Sequence, residues 1–156
     1  MTVTTDAVAD EAAMLAYGAT LGRELGPNEL VFLSGGMGMG KTTLARGILR
    51  GLGFAGAVKS PTYTLIEPYE VNGMRIYHFD FYRIQAAEEL EYLGLDDLLG
   101  ETAIKLVEWP ERAFGRLPVP DRVIRIRAQR DGRIIEHDRN PTVASATATT
   151  PPASSI

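Results

Sequence analysis

The stretch Leu30-Val31-Phe32-Leu33-Ser34-Gly35-Gly36-Met37-Gly38-Met39-Gly40-Lys41-Thr42-Thr43 narrows what this chain can fold into more than any other. Its continuous apolar start reads as a short strand buried on both faces. A glycine-rich loop follows, and then a helix over Thr42–Leu52 that Gly53 ends. Gly35, Gly40, Lys41 and Thr42 stand at the spacing G-x-x-x-x-G-K-[ST] of a phosphate-binding loop. Glycines admit positive φ, so successive backbone N–H groups can turn inward and form an anion cradle. The N-terminus of the following helix adds unpaired N–H groups and the positive end of its dipole. Lys41 is then the charge for the β- and γ-phosphates, and the Thr42 hydroxyl is a ligand for Mg²⁺. Leu33-Ser34-Gly35-Gly36 also spells part of the transporter-ATPase signature. That signature lies far downstream of the loop in those ATPases, so the match inside the loop is accidental.

A chain of 156 residues is sized for one domain around one core. It contains no cysteine, which excludes disulfides, cysteine nucleophiles and thiolate zinc sites. His78 and His137 are the only histidines, too few for a multi-histidine metal centre. No apolar run approaches the ~20 residues of a membrane span, and no secretory signal is apparent. A cytoplasmic protein without a membrane partner is expected. The net charge of −4 argues against strong independent binding to nucleic acid, where affinity comes mainly from neutralising phosphates.

Read in order, residues 1–5 look frayed, and Asp6–Leu25 is periodic as a helix with Met14, Gly18, Leu21 and Leu25 on one face. Gly26-Pro27 stops it. Pro61 assigns Ser60 to a loop or an edge. Tyr63–Tyr69 reads as a strand, and Asn72-Gly73 turns it into a second, half-buried strand over Met74–Arg83. There Ile76, His78, Asp80 and Tyr82 share one face, with Tyr77, Phe79 and Phe81 on the other. A histidine at such a position is more often a satisfied half-buried residue than a ligand. Short helices are expected at Ala86–Leu93 and around Asp96–Leu99, then a buried strand, Ala103–Glu108, closed by Trp109-Pro110. Glu111–Leu117 reads as a short helix. Val123–Gln129 alternates, with Arg125 and Arg127 outward, and Asp131-Gly132 turns it into a last strand. From Asn140 onward the composition is almost wholly Thr, Ala, Ser and Pro, too poor in large apolar groups to offset ordering entropy. The division expected is a phosphate-loop domain over 1–138 and a disordered tail over 139–156.

Two carboxylates end apolar strands. A carboxylate in that place holds Mg²⁺ or orients water in phosphate-loop NTPases. Glu108 fits it, and Asp80 is uncomfortable at a strand end without a partner or a task.

The combination resembles the TsaE family (formerly YjeE), small bacterial ATPases that help make threonylcarbamoyl-adenosine beside the tRNA anticodon. The matching segments are Gly38–Thr43, Val58–Leu65, Tyr77–Arg83, Glu88–Glu91 with Leu93-Gly94, and Leu106–Arg112. Together the likeness covers about residues 8–136. It implies ATP and Mg²⁺ as cofactors, a complex with the TsaB and TsaD proteins, and tRNA reached through that complex. It also implies that Gly35, Met37, Gly38, Met39, Gly40, Lys41, Thr42 and Thr43 cradle the nucleotide, joined by Ser60, Thr62, Glu111 and Arg133. Thr42 and Glu108 would hold Mg²⁺, and Asp80 with Lys41 would be catalytic. Ser60–Thr64 would be a switch that senses the γ-phosphate. The chain departs from the family pattern at Gly36, usually aspartate, and at Met37 and Met39, usually leucine and alanine. A threonine expected near Ala13-Met14 is also missing.

The expected architecture is α/β: a three-layer P-loop NTPase fold with a central mixed, partly parallel sheet and its site at the strands' carboxyl ends. Three other readings share the loop. A small-molecule kinase would carry an arginine-rich lid, and none is visible. A GTP switch would carry Asn-Lys-x-Asp, and no Asn precedes Lys41, Lys59 or Lys105. A nucleotide-binding module without turnover would have the same carboxylates.

Overall fold

Residues 2–8 form a sheet edge, not the frayed stretch that their small polar residues suggest. In the computed structural model, which describes residues 2–147, β1 (Thr2–Val8) runs antiparallel to the last strand from Thr2 opposite Arg139 to Val8 opposite Arg133. Its threonines and valines favour extended backbone. The first helix therefore starts later than Asp6. α1 (Glu11–Glu24) is capped by Asp10, whose carboxylate accepts the Ala13 N–H at 2.9 Å. Met14, Gly18, Leu21 and Gly22 form its buried face.

β2 (Leu30–Ser34) leads through the glycine loop into α2 (Lys41–Leu52), which ends at Gly53 in the left-handed region. β3 (Ile66–Val71) and β4 (Met74–Asp80) form the expected hairpin, with Asn72 at φ 51° and Gly73 at φ 79°. Such a two-residue turn needs positive φ at both positions. β3 begins three residues later than the sequence reading placed it, because 62–64 is a turn. α3 (Ala87–Leu93) and α4 (Leu95–Gly100) flank Gly94. β5 (Ile104–Glu108) is followed by one turn of 3-10 helix, Pro110–Ala113, where a helix to Leu117 was expected. β6 (Arg122–Gln129), β7 (Gly132–Arg139) and the short α5 (Val143–Thr147) complete the described chain.

The seven strands lie in the order β1-β7-β6-β2-β5-β4-β3. β6, β2, β5 and β4 are mutually parallel, and the β3–β4, β6–β7 and β1–β7 pairs are antiparallel. The sheet is thus mixed, as the hairpins require. One face carries α1 and α2, with Leu44 and Ile48 of α2 packed in one cluster with Val31, Leu33, Ile104 and Leu106 of the sheet. The other buries Phe32, Phe79, Phe81 and Val107 in one cluster with Leu90 of α3 and Leu95 of α4. This is the three-layer α/β arrangement of phosphate-loop NTPases.

Three expectations change with this placement. Ile76 to Phe81 are buried without interruption, since β4 lies between two strands and under both layers. Arg125, expected outward, is buried. It pairs with Glu136 at 3.2 Å and donates to the Ser145 carbonyl of α5. Arg127 is exposed as expected. The segment assigned to the tail begins inside β7 at Arg139 and includes α5, with Ala146 packed on the second core. The rest of that segment, 148–156, lies outside the described residues. No helix among the described residues is long and apolar enough to cross a membrane.

Candidate nucleotide-binding site

The parallel strands β2, β4 and β5 end on one side of the sheet at Ser34, Asp80 and Glu108. The loop 35–40 leaves β2 there. Gly38 at φ 75° and Gly40 at φ 111° take conformations that a side chain would strain. Lys41, the first residue of α2, folds back over its own loop. Its ammonium donates to the Gly35 carbonyl at 2.6 Å and sits 3.7 Å from the centroid of the Trp109 ring. Burial pulls the Lys41 pKa below the ordinary lysine value, against Glu108, Asp80 and Glu111, which favour the charge.

Parallel pairing of β4 with β5 sets Asp80 opposite Glu108. Both carboxylates are buried, at 5% and 3% exposure. The Thr42 hydroxyl donates to Glu108 Oε2 at 3.3 Å, and His78 Nε2 lies 2.7 Å from the same oxygen. A hydroxyl at the start of a helix and a carboxylate at the end of a strand are hard oxygen donors, the kind Mg²⁺ takes. Among the described residues no cluster of three or more His, Cys, Asp or Glu forms a self-sufficient metal centre. Thr42 and Glu108 therefore suit a cation that draws its other ligands from phosphate and water.

Asp80 accepts the Tyr82 N–H at 2.9 Å and the Thr62 hydroxyl at 3.4 Å. Burial raises its pKa, the Tyr82 hydrogen bond lowers it, and the nearby Glu108 charge raises it further. Thr62 in turn shares a 2.7 Å hydrogen bond with Ser60. The segment Ser60–Thr64 thus touches the carboxylate pair through one hydroxyl. Arg133, at the start of β7, donates to the carbonyls of Met39 at 3.1 Å and Gly38 at 3.3 Å. It clamps the loop from outside. Thr43 and Arg133 line a pocket of ≈ 250 Å³ with Asp10, Met14 and Gly40. Met37 stands exposed at the loop tip, whereas Met39 packs on the first core. Glu111 is exposed on the 3-10 turn.

A family model described as "Threonylcarbamoyl adenosine biosynthesis protein TsaE" matches residues 8–139. The chain belongs to the TsaE family. The TsaE protein of Haemophilus influenzae is 44% identical over 137 residues, 85% of this chain and 87% of that one. The TsaE protein of Treponema pallidum is 33% identical over 116 residues, 74% of this chain and 85% of the relative. Both carry the name "tRNA threonylcarbamoyladenosine biosynthesis protein TsaE". The solved structure of Bacillus subtilis YdiB superposes with a TM-score of 0.75 at 27% identity, covering 90% of this chain and 87% of that chain.

Every candidate site residue of this TsaE chain falls inside the matched span. The structure gathers Lys41, Thr42, Asp80, Glu108, Ser60 and Thr62 at one end of the sheet. Arg133 reaches the loop backbone instead, and the Glu111 charge is felt at Lys41. The sequence reading gave Trp109 no role in the site and took His78 for a satisfied half-buried histidine, but His78 is fully buried with Nδ1 unpartnered. Trp109 covers Lys41 and packs on Tyr82, with ring centroids 4.9 Å apart. The signal for His78 was present, since it shares a strand face with Asp80 two residues away. Its contact depends on β5 lying next to β4, which no local pattern reveals.

Proposed function

We propose that this chain is a Mg²⁺-dependent ATPase that serves threonylcarbamoyladenosine modification of tRNA as an accessory to TsaB and TsaD. The observation that carries the reading is the convergence of Lys41, Thr42, Asp80 and Glu108 around one glycine loop. Membership of the TsaE family supplies the pathway.

In this reading Lys41 leaves the Gly35 carbonyl and meets the β- and γ-phosphates, while the loop and the first turn of α2 receive the phosphate oxygens. Bound Mg²⁺ would neutralise charge on the β- and γ-oxygens. Thr42 and Glu108 would hold it. Asp80 orients the attacking water. Its oxygen bonds to the γ-phosphorus, the bond to the β–γ bridging oxygen breaks, and ADP and inorganic phosphate leave. The raised pKa of Asp80 makes it a better proton acceptor than an exposed aspartate. Thr62 couples the Ser60–Thr64 segment to that carboxylate, so a change in the segment reaches the water-positioning group directly.

Charge and order at the γ-phosphate are worth ~10³–10⁵ in rate in such enzymes. Arg133 meets the loop through the backbone carbonyls of Met39 and Gly38, and Ser60 is exposed. An acidic chain also grips tRNA poorly by itself. The isolated protein is therefore expected to hydrolyse ATP weakly, in preference to GTP. Adding TsaB and TsaD should raise turnover markedly, and adding tRNA should permit repeated rounds of modification. Full-rate hydrolysis by the protein alone, unchanged by the pair, would favour a free-standing enzyme such as a small-molecule kinase.

A further inference from the structure

We propose that His78 is a positioning residue for the Glu108 carboxylate, fixing it ready to take a divalent cation beside Thr42. The inference rests on the proposed nucleotide site and adds a residue to it.

His78 lies on β4, on the same face as Ile76 and Asp80, with 0% exposure. Asp80, not His78, is the register partner of Glu108, and His78 is opposite Leu106. Its ring therefore reaches diagonally along the sheet, one pleat forward, to the end of β5. There Nε2 donates to Glu108 Oε2 at 2.7 Å, the short length of a hydrogen bond to a charged acceptor. The Thr42 hydroxyl donates to that same oxygen at 3.3 Å. One carboxylate oxygen is thus held from two directions, by a strand on one side and by the first turn of α2 on the other. A carboxylate held this way does not have to be ordered when the cation arrives, which is how hydrogen-bonded partners of metal ligands act.

The rest of the ring shows that packing alone does not explain it. His78 Nδ1 is buried with no hydrogen-bond partner. A buried imidazole with one orphaned nitrogen stabilises a core less than an apolar side chain of its size would. What the imidazole adds is a donor at the one atom that meets Glu108.

The test compares His78→Gln with His78→Asn. The glutamine amide nitrogen can stand near the position of Nε2, whereas the shorter asparagine reaches only that of Nδ1. His78→Leu removes the donor altogether. For each protein, ADP affinity is measured by calorimetry in EDTA, and Mn²⁺ affinity of the ADP complex by electron paramagnetic resonance. His78→Leu and His78→Asn should weaken Mn²⁺ binding about 10- to 100-fold, the usual cost of losing such a partner. Their ADP affinity in EDTA should stay at the wild-type value. His78→Gln should remain within a few-fold of wild type in both measurements. Wild-type Mn²⁺ affinity in His78→Leu, equal behaviour of the Gln and Asn variants, or an equal loss in EDTA would each overturn the assignment. If wild-type protein binds no ADP under either condition, the nucleotide site itself is wrong, a failure separate from that of His78.

Discussion

Lys41 has two partners in the site, the Gly35 carbonyl and the face of Trp109. Its neighbour across the site, Asp80, is shielded enough to titrate above an ordinary aspartate, and its own contacts are with Tyr82 and Thr62 rather than with the loop. Asp80→Ala should accordingly leave ATP affinity within a few-fold of wild type and lower hydrolysis about 10²–10⁴-fold, the usual range for a positioned proton-transfer group. Single-turnover phosphate release checks this, and an unchanged rate would mean that another group places the water. A second buried group governs stability instead. His137 on β7 faces α1 with its Nδ1 3.4 Å from the Tyr17 hydroxyl, and burial pushes its pKa down to about 4, with Arg139 and Arg122 acting in the same direction. The folded protein therefore keeps the ring neutral where the unfolded chain protonates it near 6.5. Its contribution is constant above that pH and is lost as pH falls from about 6.5 toward 4, by roughly 2–3 kcal/mol. Urea midpoints for the wild type and His137→Gln should differ in slope through this window and run parallel above it. Parallel curves throughout would show that His137 ionises normally.

At the scale of elements, α1 and α2 meet backbone to backbone. A Cβ added at Gly51 would stand 2.1 Å from the Ala19 carbonyl oxygen, and one at Gly22 would stand 2.4 Å from that of Ile48. Gly18 and Gly47 are similarly close, so each helix presents two glycines one turn apart. Gly51→Ala should cost about 1–3 kcal/mol, the range for overpacking, despite the better helix propensity of alanine. A melting temperature equal to or above wild type would show that the helices can part without penalty. Elements whose signals are local were legible in the sequence: β2 and β5 as apolar runs, α2 between loop and Gly53, and the Asn72-Gly73 hairpin. β1 was not. Its residues are exposed except Val8, and only the partner strand, more than a hundred residues later, makes it a strand. Arg125 was misread for a related reason, since an alternating pattern does not reveal that α5 returns to cover it.

At the scale of the molecule, strand order does what no single motif can. Inserting β5 between β2 and β4 brings Glu108 against Thr42 and sets Asp80, from a distant segment, directly beside it. The loop, the two carboxylates and the family likeness were all visible in the sequence because each is a contiguous pattern. The His78–Glu108 contact and the Arg133 clamp were not, because they depend on which strands become neighbours. On the proposed reading, this sheet end binds nucleotide phosphates through the loop. Calorimetric titration of ATP with Mg²⁺ into the wild type and Lys41→Ala tests it most directly. Wild-type protein should bind one ATP per chain. The variant should lose about 10- to 100-fold in affinity, the worth of a charge-assisted contact to phosphate. Equal affinity in the two proteins would mean that the loop and Lys41 do not hold the phosphates.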